Sequence, residues 1–156
     1  MTAAIDPGTD LRRWGEEAPN GHSRVLEQHV ELRRLILEGL ELMQAALRGD
    51  IGAIAPFRAL IETTSGLLTQ HLADEEALLI PILEDDCPLG PLQADQLRAD
   101  HQHQLEDMRI LCNWSPERAI GELAARFQDL AEELLGDIET EDRELLAPTF
   151  GRDARV

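Results

Sequence analysis

Two stretches of this chain, HLADEEALLIP at residues 71–81 and DIETEDRELLAP at residues 137–148, each place a metal-competent side chain four positions before a glutamate. Four residues is close to one helical turn, so His71 with Glu75, and Asp137 with Glu141, are expected on one helix face about 6 Å apart along the axis. Each pair then forms a two-toothed clamp for a cation. Both clamps continue apolar stripes. In steps of three and four, one stripe runs Leu60, Thr64, Leu67, His71, Glu75, Leu78, Ile82, and the other Leu123, Phe127, Leu130, Leu134, Asp137, Glu141, Leu145. Such stripes face a core, where carboxylates seldom sit unless they are paired or bound to metal.

The elements that must position these groups are four long periodic segments separated by turn residues. The first is expected from Ser23, an N-cap, to Leu47 before Arg48-Gly49-Asp50, with the stripe Val25, His29, Leu32, Ile36, Leu40, Met43, Leu47. The second follows Pro56, after a turn in residues 50–55, and runs to about Pro81 ahead of a loop through Asp85, Asp86, Pro88, Gly90 and Pro91. The third spans roughly 92–113 with the stripe Leu97, His101, Leu105, Met108, Cys112, and the fourth runs from Ser115-Pro116 to near Ala147-Pro148. Connections this short make neighbours antiparallel, which gives an all-α, up-down-up-down four-helix bundle. Residues 1–21 read as an N-terminal arm, 22–148 as the bundle and 149–156 as a C-terminal tail.

That topology predicts which side chains meet. Odd helices start, and even helices end, at the same end of the bundle. His29, His71, Glu75, His101, Asp137 and Glu141 therefore converge at one level in the core. Three carboxylates brought into a low-dielectric interior cost several kcal/mol each if unpaired, and neutral imidazoles cannot offset that. Two divalent cations with a bridging hydroxide leave the cluster close to neutral. Imidazole and carboxylate donors without cysteine favour iron, manganese or zinc. Glu75 and Glu141 suit bridging positions, with the histidines and Asp137 as terminal ligands.

Composition narrows the partners. A length of 156 residues suits one domain, and 3% aromatics with no tyrosine suit helices packed on leucine and alanine. The net charge of −17, with no lysine, argues against nucleic acid and anionic membrane surfaces. Cys87 and Cys112, 25 residues apart with no C-x-x-C, indicate neither a thiolate zinc site nor a disulfide framework. A reducing cytoplasm is the expected location, because the first 21 residues carry no apolar run that would serve as a signal peptide or span.

At these residues the chain resembles the hemerythrin-like family of non-haem di-iron proteins, including its HHE cation-binding members. That pattern is a lone histidine on helix one, H-x-x-x-E with an apolar stretch and proline on helix two, a histidine on helix three and a second H-x-x-x-E on helix four. His29, His71 with Glu75, His101 and Glu141 match it, and the resemblance covers about residues 22–148. It implies a four-helix bundle with two iron ions, oxo- or hydroxo-bridged, that handles oxygen, peroxide, nitric oxide or iron itself. Two positions depart from the pattern. Asp137 stands where the family usually has histidine, and Leu105 stands where oxygen carriers place a second histidine on helix three. The donor set is richer in oxygen, which stabilises ferric over ferrous iron and disfavours reversible oxygen carriage. An oxidoreductase using peroxide or oxygen is the leading expectation; a non-catalytic iron or oxygen sensor or store, and a metal-free helical interaction module, are the alternatives.

Duller readings stand beside these. His29 and His101 are alternatively core histidines bonded to carbonyls, His71 with Glu75 a surface pair, and Asp137 a solvated acid or a partner orienting a ligand histidine. Asp142, one residue past Glu141, is an alternative ligand at the spacing used by oxygen carriers. Asp74, Glu76, Glu139 and Glu144 read as the solvated face, His103 as surface, His22 as a cap or surface residue, Cys112 as a small core residue, and Trp14 and Trp114 as packing residues. No E-x-x-H pair suggests a ferritin-like site, no G-x-S-x-G suggests a hydrolase, and a tyrosyl radical is ruled out by composition.

Overall fold

The computed structural model describes residues 19–86, 88–115 and 119–146. Trp14, Cys87, the Pro116 start of the fourth helix, the Ala147-Pro148 end, the 149–156 tail and most of the 1–21 arm lie outside them. The described residues form four α-helices and no strand: α1 Pro19–Leu47, α2 Ile54–Asp86, α3 Gly90–Cys112 and α4 Ile120–Leu146, with a 3-10 turn Ile51–Ala53 before α2. The packed pairs are α1 with α2, α2 with α3, α3 with α4, and α4 with α1. Cross-helix bonds run antiparallel: Gln28 early in α1 meets Asp74 late in α2, and His29 meets Asp142 late in α4.

Each boundary has a local cause. At the end of α1, Gly49 has φ +96°; its N–H bonds the Ala46 carbonyl, and the Asp50 N–H bonds the Ala45 carbonyl. That double bond closes the helix and needs a left-handed residue, which favours glycine. Helix α1 begins a turn earlier than Ser23, so His22 lies within it, half-buried, rather than capping it. Helix α2 continues five residues past Pro81. Proline in a helix interior costs about 3 kcal/mol. Beyond it, however, Ile82 and Leu83 are each buried to 4% exposure, and burying two such side chains recovers about 1.5–3 kcal/mol apiece. Pro81 itself faces solvent. Gly90 opens α3 against the Leu83 carbonyl, 1.7 Å from where a Cβ would stand, so no other residue fits there.

The core is in two blocks. A larger one takes in Leu32, Ile36, Leu68, Leu72, Met108, Phe127, Leu134 and Ile138. A smaller one, Val25, Leu78, Leu79, Ile82, Leu83 and Ala94, lies toward the other end. Between the blocks in the helix registers fall His29, between Val25 and Leu32, Glu75, between Leu72 and Leu78, and His101, between Ala94 and Met108.

Candidate metal centre

Burial selects the same side chains as the stripes do. His29 is 0% exposed, Glu75 2%, His71 3% and His101 5%; Asp137 and Glu141 are partly buried. His71, Glu75, His101, Asp137 and Glu141 line one cavity of about 20 Å³, walled on its apolar side by Leu32, Leu68, Leu72, Leu134 and Ile138. A cavity of that size admits roughly one water-sized guest.

The imidazoles present their Nε2 atoms to the carboxylates. His29 Nε2 lies 2.9 Å from Glu141 Oε2, His71 Nε2 3.3 Å from Glu75 Oε2, and His101 Nε2 3.7 Å from that same oxygen. Ligand atoms of His29, His71 and Glu141 all fall within 4.8 Å of one another, and the His29 and His71 rings stand edge to face at 4.9 Å. Glu75 thus faces histidines from α2 and α3, while Glu141 faces the one on α1.

Each Nδ1 is held from outside. His29 Nδ1 bonds Asp142 Oδ1 at 2.8 Å, His71 Nδ1 bonds Gln28 Oε1 at 3.2 Å, and His101 Nδ1 bonds Glu76 Oε1 at 2.9 Å. Carboxylate and amide oxygens accept only, so each ring carries its proton on Nδ1 and turns an Nε2 lone pair inward. Outer partners of this kind fix ring orientation and strengthen histidine as a metal ligand. Behind them, Arg33 Nη2 donates to Asp142 at 2.5 Å, and Gln28 Nε2 donates to Asp74 at 2.8 Å.

A lone pair directed at a carboxylate oxygen 2.9 Å away is repulsive unless a cation or a proton lies between them. His29 Nε2 and Glu75 Oε1 are buried without a hydrogen-bond partner among the described residues, the 2.9 Å approach of His29 to Glu141 lacking hydrogen-bond geometry. Burial holds the His29 imidazole below its usual range although the hydrogen bond it donates to Asp142 opposes this, so the ring does not readily provide the charge itself. The acids show the same shortage. Burial, then the charge of Glu75, pushes the Glu141 carboxyl well above the usual range. Burial raises the Glu75 carboxyl, but its polar surroundings of His71, His101 and Glu141 outweigh it and hold the group below that range. The two carboxyls are thus pushed in opposite directions, as expected of close like charges in one buried site. These donors fit a cation.

Asp137 stands apart from the tightest group. Its Oδ2 accepts from Gln104 Nε2 at 2.8 Å, and its carboxyl is pushed up to about 6, first by burial and then by the charges of Glu133, Glu75 and Asp100, against the Gln104 bond. Since the folded value lies above the unfolded one of 3.8, Asp137 leaves stability intact below that value and lowers it as pH rises through about 6. Asp137→Asn is therefore expected to stabilise the metal-free protein by about 1 kcal/mol above pH 6, allowing for screening of a partly exposed group, and to be neutral below pH 4. Urea melts across that range measure it.

The histidine partners were missed or misassigned in the sequence. Asp74 and Glu76, read as solvated face, are half-buried and bond Gln28 and His101. Gln28 and Gln104, buried at 8% and 2%, carry no motif in the sequence that marks them. Asp142 meets His29 on Nδ1, opposite the nitrogen that faces Glu141. The surface assignment of His103 agrees with its 70% exposed side chain. Cys112 is a half-buried free thiol at the core edge, and Trp114 packs under Arg58 at 5.6 Å.

Compared with known proteins, the chain matches a family model described as the hemerythrin HHE cation binding domain over residues 20–148. No curated protein and no solved structure matches it. No helix among the described residues is long and apolar enough to cross a membrane.

Proposed function

The chain belongs to the hemerythrin HHE cation-binding domain family, and from that premise we propose that it holds two iron ions on His29, His71, Glu75, His101, Asp137 and Glu141 and acts on peroxide or oxygen. The observation that carries this reading is the pair of orphaned atoms, His29 Nε2 and Glu75 Oε1, buried at one level among imidazoles already oriented from behind. A metal-free interaction module has no use for such atoms, each of which costs about 1–3 kcal/mol when left unsatisfied. Bound iron would supply one-electron redox chemistry and a Lewis-acidic position.

The chain's own residues do the rest. Gln28, Glu76 and Asp142 orient the three imidazoles. Glu75, reached by histidines from two helices, and Glu141 beside it suit shared positions between two ions. Cations and protons compete for the same carboxyl and imidazole groups, so loading is coupled to pH. The two apolar blocks above and below restrict water.

Three carboxylates against three imidazoles favour the ferric state, which supports redox turnover over reversible oxygen carriage. Iron-loaded protein supplied with a chemical reductant is expected to consume hydrogen peroxide well above the rate of the same iron free in buffer; equal rates would leave storage or sensing as the better reading. Asp137→His exchanges an anionic donor for a neutral one and is expected to raise the reduction potential of the centre. An unchanged or lower potential in a redox titration would contradict the donor argument.

A further inference from the structure

Gln104 is a primary amide at 2% exposure on α3, three residues after His101 and so on nearly the same face. Its Nε2 donates to Asp137 Oδ2 at 2.8 Å and to Glu133 Oε1 at 3.3 Å, both on α4. An apolar residue of similar size would fill that place without the desolvation cost of an amide, which is about 1–3 kcal/mol by mutational measures when unbonded. Core packing therefore does not account for the glutamine.

A pattern around the site does. Gln28 on α1 holds His71 of α2, Glu76 on α2 holds His101 of α3, and Asp142 on α4 holds His29 of α1. In each case one helix orients the ligand of its neighbour. The step from α3 to α4 is the one not yet filled, and Gln104 to Asp137 fills it, closing the ring of four. We propose that Gln104 is a positioning residue that fixes Asp137 as the carboxylate ligand of the cation nearest His101. The proposal rests on the two-ion reading above. Gln104 lines the same cavity as Asp137, His101 and Glu75, and its bond to one carboxylate oxygen leaves the other for a cation.

The consequence is unequal for the two positions. Beyond the shared Glu75 and Glu141, the α1 side of the site offers His29 and His71. The α3–α4 side offers His101 and Asp137, since Leu105 provides no donor. Gln104 holds Asp137 and no donor of the other side. Removing Gln104 is expected to weaken that one position by about ten- to a hundredfold and to leave the other unchanged.

Anaerobic equilibrium dialysis against ferrous iron, followed by element analysis, resolves this on the full chain. Wild type is expected to take up two ions. Gln104→Met, which keeps length and apolar volume, should bind the first with wild-type affinity and the second about ten- to a hundredfold more weakly. Gln104→Glu, which replaces the donor by an acceptor facing Asp137, should show the same selective loss and serves where the methionine variant is poorly folded by circular dichroism. Two ions bound at wild-type affinity in either folded variant, or both steps weakened equally as a general packing defect would produce, overturns the role of Gln104 while leaving the two-ion reading intact. Wild type that binds fewer than two ions overturns that reading and the proposal with it.

Discussion

Replacing His71 or Glu75 with alanine is expected to strip most of the bound iron from the protein. Glu75 Oε2 faces His71 at 3.3 Å and His101 at 3.7 Å, so its loss removes a donor from both sides of the site at once. His71 belongs to the group of ligand atoms gathered within 4.8 Å, and without it His29 and Glu141 are left as a pair. The folding control points the other way. Glu75→Gln keeps the side-chain volume and removes the buried charge that disfavours ionisation of Glu141, so in the metal-free protein it should shift the Glu141 carboxyl back toward its usual range. Element analysis after dialysis, set beside metal-free melting curves, separates lost ligation from lost fold. Full iron retained by a folded alanine variant at either position would refute the clamp.

Removing the metal is expected to produce the largest change in stability. On the proposed two-ion reading, the cations bind the folded bundle and find no preformed site in the unfolded chain. At a free concentration about a thousandfold above the dissociation constant they should therefore stabilise folding by about 4 kcal/mol. For a domain of this size that corresponds to a fall in Tm on the order of 10 °C on chelation. The difference should widen as pH rises through about 6, because the charge Asp137 then acquires is uncompensated only in the metal-free state. Calorimetry of loaded and chelated samples between pH 5 and 8 measures both effects. A Tm that chelation leaves unmoved at every pH would mean that the buried acids are neutralised in some other way.

The residues that run with the helical period were legible from the sequence, and those that act across it were not. His29, His71, Glu75 and His101 continue leucine stripes, and four-residue spacing puts each clamp on one face, so their burial follows from periodicity alone. Gln28, Glu76 and Asp142 each sit one residue away from a proposed ligand, about 100° round the helix. That angle takes them out of the stripe and into the seam with the next helix, where they reach a histidine whose position depends on tertiary packing. A polar residue at such an angle looks like solvated surface until the neighbour is in place. Gln104 differs again: it lies on the buried face, where one amide among apolar residues reads as noise unless its partner on α4 is known. The extension of α2 past Pro81 was hidden for a similar reason. Proline marks a local cost, while the burial of Ile82 and Leu83 against Val25 and Ala94 that outweighs it is non-local.

The central claim is that buried histidine and carboxylate side chains from all four helices enclose two cations. Anomalous diffraction from a crystal of the iron-loaded protein, recorded on both sides of the iron edge, tests it most directly. The account predicts two peaks in the core, one within coordination distance of the Nε2 atoms of His29 and His71 and the other beside His101 and Asp137, with Glu75 reaching both. A core without anomalous signal, or iron found only on the exposed acidic surface, would contradict it.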